Sequence, residues 1–444
     1  MKSDGLRRYS AASGWWLGER VVVVLINLLV QLLLVRTLGA IGFGELAYLL
    51  AINGLLIPVT QTGIAGVVSR AIVDSPDSEK AIIETALYWR LLAASAASFA
   101  GAVYVIAGVD QLDSPLAIVS MIVISQLSIA FHVIENRYHA LVKPSEFVPW
   151  RLVVTVASAA TKIVVAINTT DTRCIFATFA AEHLLQAIAQ STSYRLSTGI
   201  WLWPSNNSSW TSWLFKRAPW LMASSIAETI YLKVDIVMLK FLTNTRDTGL
   251  YSAAAKISEF WYFIPATLMS AWTPLLWPKD RPPSDSSQQA FRTQQLLDLM
   301  ALTSITIAIV IQIIGEPLVV LFFGAEFTEA GALLKIHVWA GVFIFMRAVL
   351  SKWLIMSDRL KYSLVSHGAG ALSNVSLNLA VIPTLGATGA AIATAVSYAI
   401  SSWIFLYCFP ETRPLGRMMG RALLIPFRWQ ALHSYYALWK NNDH

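Results

Sequence analysis

The sequence predicts an all-α polytopic membrane protein with twelve transmembrane helices. Its 444 residues are 56% hydrophobic and 13% charged, whereas soluble globular proteins average roughly 45–50% apolar and about 25% charged residues. Apolar runs of about 20 residues also recur along the whole chain, and this length crosses a bilayer core of about 30 Å. The polar surface is too small for a water-soluble body of this size, which excludes a cytosolic enzyme, a secreted disulfide scaffold and a disordered protein.

The first apolar run, Trp15 to Leu34, follows Lys2, Arg7 and Arg8 and therefore has the charge pattern of a signal peptide. It is longer than the roughly 7–15-residue core of such a peptide, and no small-residue cleavage site follows it. We therefore interpret it as a retained first transmembrane helix.

Twelve spans of about 20 residues follow one another with short loops, which leave no room for a large soluble domain. Their centres lie near Leu25, Leu55, Ser98, Ile124, Ala157, Ala181, Ala227, Ile264, Ile305, Phe343, Asn374 and Ser397. The predicted domains are an N-terminal lobe (1–197, spans one to six), a cytoplasmic tryptophan-rich linker (198–217), a C-terminal lobe (218–409, spans seven to twelve) and a cytoplasmic basic amphipathic tail (410–444).

The charge distribution predicts the orientation of these spans. With the N-terminus inside, 23 of the 33 Lys and Arg residues fall on the inner side and four, Arg36, Arg173, Lys240 and Arg246, fall in outer loops. Lys and Arg accumulate in cytoplasmic loops of membrane proteins, so both termini are predicted to be cytoplasmic. The net charge of +7 does not indicate a nucleic-acid partner, because the basic residues lie between apolar runs and form no patch on a soluble face.

The linker and the tail are both predicted to lie at the membrane surface. The linker carries four tryptophans between Trp201 and Arg217, and tryptophan favours headgroup depth, so we expect an interfacial hinge. The tail places Arg413, Arg417, Arg421 and Arg428 on one helical arc, which is typical of a surface helix against anionic lipid, although Pro426 argues against one unbroken helix.

Two segments suggest an internal repeat. VRTLGAIGFGELAYLLAINGLLIP (35–58) follows span one, and LTNTRDTGLYSAAAKISEFWYFIP (242–265) follows span seven. Alignment of Gly44 with Gly249 offsets the segments by 205 residues, and the prolines Pro58 and Pro265 are then two positions out of step. An even number of spans separates them, so the repeat is predicted to be parallel, about an axis along the membrane normal.

The same segments carry a family resemblance. LVRTLGAIGFGELA after span one, VDIVMLKFLTNTRDTGLYSAAAKISEFWYFIPATL at spans seven and eight, and LGATGAAIATAVSYAI at span twelve resemble the multidrug/oligosaccharidyl-lipid/polysaccharide exporter superfamily. The branch that they resemble most is the polysaccharide or O-antigen flippases (Wzx-type). The resemblance implies two six-helix lobes around a central cavity, alternating access, and a polyprenyl-diphosphate-linked oligosaccharide as cargo, moved from the cytoplasmic to the outer leaflet.

Ionisable residues inside the spans predict where such a cargo would bind. Six cations lie in apolar context, namely Arg20, Lys162, Lys233, Lys256, Lys335 and Arg347. At roughly 2.5–3.5 kcal/mol each, six cations facing lipid would cost on the order of 15–20 kcal/mol, so they must face protein, water or cargo. Fixed cations also lower the cost of bringing a diphosphate through a region of low dielectric constant.

Helical spacing groups the polar residues into faces, because residues at offsets of 4, 7 and 11 share one side of a helix. The predicted substrate-binding residues are Arg20, Asn27, Gln31, Lys233, Lys256, Arg347, Asn374 and Asn378, with the diphosphate assigned to the four cations. The predicted ion-coupling residues, for H⁺ or Na⁺, are Glu228, Asp235 and Glu259. Each assignment has an alternative. Lys256 and Glu259 can form a structural ion pair, and Arg20 and Arg347 can extend to the membrane interface. Glu228 and Asp235 can balance the charge of Lys233, and the amides can join helices.

The sequence contains no HExxH, GxSxG, GxGxxG or GxxxxGK[ST] motif and no Cys/His cluster for zinc, so we expect neither an enzyme nor a cofactor or metal. A flippase in the bacterial inner membrane is favoured, with a polysaccharide polymerase and a chain-length protein as possible partners. A cation-coupled multidrug exporter of the same superfamily would favour carboxylates in a drier cavity. A membrane-embedded polymerase or glycosyltransferase would need a larger outer loop.

Overall fold

The computed structural model describes residues 2–107, 114–216, 218–276, 286–357, 359 and 361–428. Every regular element in these ranges is a helix, and none of them is a strand, which confirms the predicted all-α class. The chain divides into two compact units, residues 1–249 and 250–444.

The N-terminal unit contains nine helices and the start of a tenth among its described residues. They are α1 (Lys2–Gln61), α2 (Ala65–Asp74), α3 (Glu79–Ile106), α4 (Pro115–Ala130), α5 (Glu135–Leu141), α6 (Pro144–Asn168), α7 (Thr172–Thr198), α8 (Ser208–Phe215), α9 (Ala218–Leu242) and α10 (Thr245–Glu259). The long first helix is interrupted at Gly39, whose φ of 67° and ψ of −177° are open to glycine but strained for other residues. The two predicted spans centred on Leu25 and Leu55 therefore meet at this single residue.

Two apolar clusters hold the N-terminal unit together. One contains Ile83, Leu87 and Tyr138, and the other contains Leu34, Tyr48 and further side chains of α1, α4 and α7. Within a bilayer such side chains stabilise the bundle through close packing, because lipid tails are as apolar as the core.

Helix α9 runs antiparallel to the second half of α1. At one end the ring of Phe241 lies 6.0 Å from that of Tyr48, and at the other a Cβ on Gly63 would lie 2.6 Å from the backbone nitrogen of Met222. The compact units therefore divide after Gly249, whereas the predicted lobes divide at residues 198–217. The assignment of α9 to a C-terminal lobe stays a prediction.

The predicted linker is partly helical and packs on α3. Residues 201–207 form no regular element, and α8 follows. Asn207 caps α8, since its Oδ1 accepts hydrogen bonds from the backbone N–H groups of Ser209 and Trp210 at 3.1 and 3.2 Å. The indole of Trp89 on α3 donates to Thr211 Oγ1 at 3.0 Å, which fixes the linker to the N-terminal unit.

The C-terminal unit is also a helical bundle. After α10 it contains α11 (Phe263–Leu276), α12 (Ser286–Phe323), α13 (Thr328–His337), α14 (Ala340–Met356), α15 (Lys361–Ser402) and α16 (Arg413–Leu423). Its core includes Leu296, Phe345, Leu350 and Met419. Helix α15 is broken at Gly386 (φ 56°, ψ −135°), so the spans centred on Asn374 and Ser397 also meet at one glycine.

All twelve predicted centres lie in helices. Among the described residues, six helices are long and apolar enough to cross a membrane, and a seventh span results if α13 and α14, bent by 43°, are taken together. The segments that contain α1 and α15 are two of the six, and each holds two predicted centres. The protein is therefore a multi-pass membrane protein, and the count of twelve stays a prediction.

The two glycines aligned in the sequence repeat lie against each other. A Cβ on Gly44 would overlap the carbonyl oxygen of Thr245 and lie 2.9 Å from the nitrogen of Gly249. A Cβ on Gly249 would overlap the carbonyl oxygen of Ala40 and lie 3.1 Å from the nitrogen of Gly44. The contact is reciprocal, because each glycine approaches the carbonyl group four residues before the other glycine. Ala40 and Thr245, which carry these carbonyl groups, are also 205 residues apart. Such reciprocity is expected where equivalent segments meet at a twofold axis. Small residues at a spacing of four permit this close helix crossing.

Candidate functional site

The predicted polar face of α1 lies on its exposed side. Arg20 and Asn27 are exposed, and Gln31 is half-buried. The Gln31 Oε1 atom is enclosed by protein and has no hydrogen-bond partner in the structure. The neighbouring Glu19, about 100° around the helix from Arg20, is buried, whereas the Arg20 side chain is exposed. This face therefore offers one cation and two amides to a polar ligand.

The predicted residues of α9 belong to the same unit as α1. Glu228 and Lys233 are half-buried, and Asp235 is buried. The Asp235 Oδ1 atom accepts a hydrogen bond from the backbone N–H of Ile236 at 2.9 Å. The structure thus brings Arg20, on α1, and Lys233 into one compact unit.

Lys256 and Glu259 lie one turn apart on α10, and both are half-buried. This helix continues into the short 3₁₀ segment Phe260–Tyr262. The spacing of three residues lets the two side chains face each other, so both the ligand role and the ion-pair role stay predictions for this pair.

Arg347 is buried between α14 and α15. Its Nη1 atom donates to Ser366 Oγ at 2.8 Å and to the carbonyl oxygen of Ser401 at 3.0 Å, and Ser366 Oγ donates to the same carbonyl at 2.6 Å. Three parts of the C-terminal unit are thereby joined through one guanidinium. The predicted role of Arg347 in diphosphate binding stays a prediction, and these bonds favour the positioning of helices.

Asn374 and Asn378 are both completely buried in α15. Asn378 Nδ2 donates to Asn374 Oδ1 at 2.9 Å, and Asn374 Nδ2 donates to Ser397 Oγ at 3.1 Å. The amides therefore connect the two halves of the helix across its break at Gly386. Asn378 Oδ1 is enclosed and has no hydrogen-bond partner in the structure, and the predicted role of both amides in substrate binding stays a prediction.

A polar cluster in the N-terminal unit was not identified from the sequence. Arg151 joins two carboxylates: its Nη1 donates to Glu135 Oε1 at 2.8 Å, and its Nε lies 3.2 Å from Glu19 Oε1. Arg90, near the middle of α3, is only 2% exposed, and its Nε has no hydrogen-bond partner. The ring of His132 lies 6.2 Å from that of His183.

Counting of loop charges concealed this cluster. Arg90 and Arg151 count toward the 23 inner cations, and both lie within helices, in α3 and α6. The available signal was Glu19, a carboxylate among apolar residues of span one, which requires a buried cationic partner. Polar groups of this kind inside a membrane protein face one another and rarely face lipid.

A second ion pair accounts for a cation that the sequence left unassigned. Lys162 is 3% exposed and pairs with Glu182, and its Nζ lies 4.0 Å from the centre of the Phe179 ring. Lys335 lies 3.4 Å from Glu316 at a more exposed position. In the described part of the chain, no group of three or more His, Cys, Asp or Glu residues is placed to hold a metal ion.

Residues 13–277, more than half of the chain, match the protein family described as "Polysaccharide biosynthesis protein". No curated protein matches the sequence at a significant level.

Several solved structures share the fold. A structure described as "Lipid II flippase MurJ, inward closed conformation" has a TM-score of 0.68 at 13% identity and covers 91% of this chain and 90% of its own. The MATE multidrug transporter DinF-BH, solved with a bound ligand, has a TM-score of 0.62 at 13% identity. The match covers 92% of this chain and 96% of the transporter. An inward-facing multidrug resistance MATE transporter of the MOP superfamily has a TM-score of 0.60 at 11% identity. The match covers 91% of this chain and 96% of the transporter.

These matches confirm the fold that the sequence resemblance implied, since the relatives belong to the exporter superfamily that the sequence motifs resemble. At identities of 11–13%, these matches establish a shared fold and not a shared cargo. Proteins of one fold can transport different molecules.

Proposed function

Because the chain belongs to the polysaccharide biosynthesis protein family, we propose that it is a flippase for a polyprenyl-diphosphate-linked oligosaccharide, such as an O-antigen or exopolysaccharide repeat unit. It moves this lipid from the cytoplasmic to the outer leaflet of the bacterial inner membrane by alternating access, with both of its termini in the cytoplasm. The family match over residues 13–277 is the observation that carries the proposal, and the fold shared with a lipid II flippase supports it.

Cations within the helices support an anionic headgroup as cargo. Lys233 and Lys256 are half-buried in α9 and α10, and Arg20 is exposed on α1. A diphosphate carries about two negative charges, and at an effective dielectric constant of 20 two unit charges 4 Å apart attract each other by about 4 kcal/mol. The amides Asn27 and Gln31 add hydrogen-bonding groups for sugar hydroxyls.

Carboxylates near these cations support coupling to an ion gradient. Glu228 and Asp235 lie on the same helix as Lys233, and Glu259 lies one turn from Lys256. Asp235 is buried, and a buried carboxylate is a group that a proton or Na⁺ neutralises on binding. We propose that one of these three carboxylates binds the coupling cation.

A multidrug exporter is the second candidate. The fold shared with DinF-BH, which is described as a multidrug transporter, favours it, and so do the carboxylates of α9. A cationic drug would be repelled by Lys233 and Lys256, so the two candidates differ in the sign of the charge that they require.

The test neutralises the two lysines and follows the lipid-linked cargo. Lys233→Gln and Lys256→Gln should each slow translocation at least about tenfold. A tenfold effect corresponds to about 1.4 kcal/mol, which is less than the attraction of about 4 kcal/mol between one lysine and one phosphate charge. Undecaprenyl-linked repeat units should accumulate on the cytoplasmic side while the amount of protein in the membrane stays normal. Access of a membrane-impermeant glycosidase to these units, in oriented vesicles, measures the side.

Lys240→Gln is the matched control, because it removes the same charge from the outer end of α9, where Lys240 Nζ donates to Thr245 Oγ1 at 2.5 Å. This variant should translocate cargo at the rate of the wild type. Normal surface polysaccharide in both test variants would contradict the assignment of these two lysines to the cargo site. Micromolar binding of a fluorescent cationic dye, strengthened by the same substitutions, would favour the multidrug exporter.

A further inference from the structure

A cavity of about 310 Å³ lies in the C-terminal unit, where the start of α12, the end of α14 and α16 meet. Gln289 and Thr293 line it from α12, Trp353 and Met356 from α14, and Leu415 and Met418 from α16. Ligand pockets for small amphipathic molecules have volumes of about 300 Å³ and more, with mostly apolar walls and a few polar groups. The lining has this composition.

Helix α16, which forms one wall, is fixed to the protein by its apolar side. Leu415 and Met419 are buried in the core of the C-terminal unit, whereas Arg417 and Arg421 are exposed. The tail was predicted to be a surface helix, and its apolar side would then contact lipid. Because that side packs on protein, α16 itself presents its arginines to the membrane surface, and Leu424 and Phe427 directly after it are exposed.

Cations adjoin lining residues of α14 and α16 in the sequence. Lys352 precedes Trp353 and is exposed, and Arg417 precedes Met418 and is exposed. Arg359 lies over the ring of Trp353, 5.1 Å from its centre, and its Nη1 donates to the carbonyl of Glu411, which fixes the loop before α16. All three cations belong to the set predicted to be cytoplasmic, so they would meet the headgroups of the inner leaflet.

Apolar side chains next to these cations are exposed. Ile355 is 53% exposed and Met356 is 49% exposed, both at the end of α14 that carries Lys352. Exposed apolar residues of a membrane protein face acyl chains, so apolar and basic side chains are both exposed on the helices that form the cavity. A molecule that fits both has an anionic head and a hydrocarbon chain.

We propose that this cavity is a binding site for an acidic phospholipid of the phosphatidylglycerol type. The phosphodiester is held by Lys352 and Arg417, and part of an acyl chain enters between Met356 and Met418. Basic pockets between helices on the cytoplasmic side bind anionic headgroups in this way, and each Lys or Arg near the surface contributes about 1 kcal/mol. The site does not rest on the proposed cargo, because its residues are separate from those assigned to translocation.

The experiment uses the purified full-length protein with equal amounts of dioleoyl phosphatidylglycerol and dioleoyl phosphatidylcholine. Native mass spectrometry counts the molecules of each lipid that stay bound. The wild-type protein should retain phosphatidylglycerol in preference, and the double variant Lys352→Gln/Arg417→Gln should lower that preference at least about fivefold. The matched control, Arg70→Gln/Lys80→Gln, removes two exposed charges of the N-terminal unit from the same predicted side and should leave the preference unchanged.

A third variant separates the cavity from the surface charge. Ala290 lines the cavity from the exposed first turns of α12, so Ala290→Trp should fill the space without unfolding the helix. It should reduce retained phosphatidylglycerol at least about fivefold. If Ala290→Trp retains as much phosphatidylglycerol as the wild type, the lipid is attracted only by the basic surface. That result would overturn the proposed site. An unchanged preference in the double variant, or an equal loss in the control, would also overturn it. Thermal unfolding of each variant should match the wild type.

Discussion

Substitution of Gly44 by alanine tests the helix crossing in the N-terminal unit. A Cβ at this position overlaps the carbonyl oxygen of Thr245 and lies 2.9 Å from the nitrogen of Gly249. Both of these atoms belong to the backbone of α10, so no side-chain rotation relieves the overlap. Because non-bonded atoms prefer separations of about 3.5–4.0 Å, the two helices must move apart by on the order of 1 Å.

The energetic cost follows from two opposed effects. Overpacking costs about 1–3 kcal/mol, and contact between two backbones belongs at the upper end of that range. Alanine also favours a helix over glycine by about 1 kcal/mol. We therefore expect Gly44→Ala to lower the free energy of unfolding by about 2 kcal/mol, which corresponds to a fall in Tm of about 4 °C for a unit of this size.

Thermal unfolding of the purified protein in detergent measures the effect. Gly54→Ala is the control, because it lies on the same helix and a Cβ there meets no atom within 4 Å; it should raise Tm slightly or leave it unchanged. Gly249→Ala should cost as much as Gly44→Ala. The double variant should cost less than the sum, since one separation makes room for both methyl groups. A stable Gly44→Ala protein, or additive losses, would refute the reciprocal contact.

Two further predictions concern ion pairs of the N-terminal unit. Lys162→Met leaves the carboxylate of Glu182 without its buried partner, so the free energy of unfolding should fall by about 3 kcal/mol, and Lys162→Met/Glu182→Gln should recover most of it in denaturant titrations. Arg173 donates to both oxygens of Asp171 at 2.9 and 2.8 Å and thereby holds the pKa of that carboxyl below its ordinary value. This pair therefore stabilises the fold above pH of about 4, and the stabilisation disappears as the pH falls through the lowered pKa of Asp171. Thermal melts of the wild type and Asp171→Asn should differ by up to about 1 kcal/mol at pH 7 and converge in acid.

Each of these predictions has its own contrary result. Equal instability of the single and double variants at Lys162 would show that the lysine stabilises through its contact with the Phe179 ring and not through the ion pair with Glu182. A difference between the wild type and Asp171→Asn that persists in strong acid would show that Asp171 stabilises as the cap of α7, where its Oδ1 accepts the backbone N–H of Arg173, and not through its charge.

Much of the fold follows from composition and periodicity, because a helix is the element that satisfies its own backbone within a bilayer. Helix centres such as Leu25 and Ser98 were therefore predictable, and so was the repeat that aligns Gly44 with Gly249. The positions of the breaks were not, since the sequence does not distinguish Gly39 and Gly386 from glycines inside continuous helices, and only the structure gives their positive φ.

The candidate site was predictable only in part. Helical spacing placed Arg20 and Asn27 on one exposed face of α1. Spacing cannot distinguish a ligand group from a residue that joins helices, as Arg347 and Asn374 illustrate, because that difference depends on partners distant in the sequence. Arg90 was missed for the same reason, since its burial depends on the packing of α3 against neighbouring helices.

The breaks at Gly39 and Gly386 also determine where foreign sequence can be inserted. At each break one residue in the left-handed region joins two helical segments, so the predicted outer surface has almost no loop there. An epitope tag or a protease site at either glycine would have to unwind a helix on both sides. Insertion between Thr169 and Asp171, where the chain between α6 and α7 is not helical, leaves both helices intact. Tags for topology mapping, and antibodies raised against the outer face, should therefore be directed to that connection.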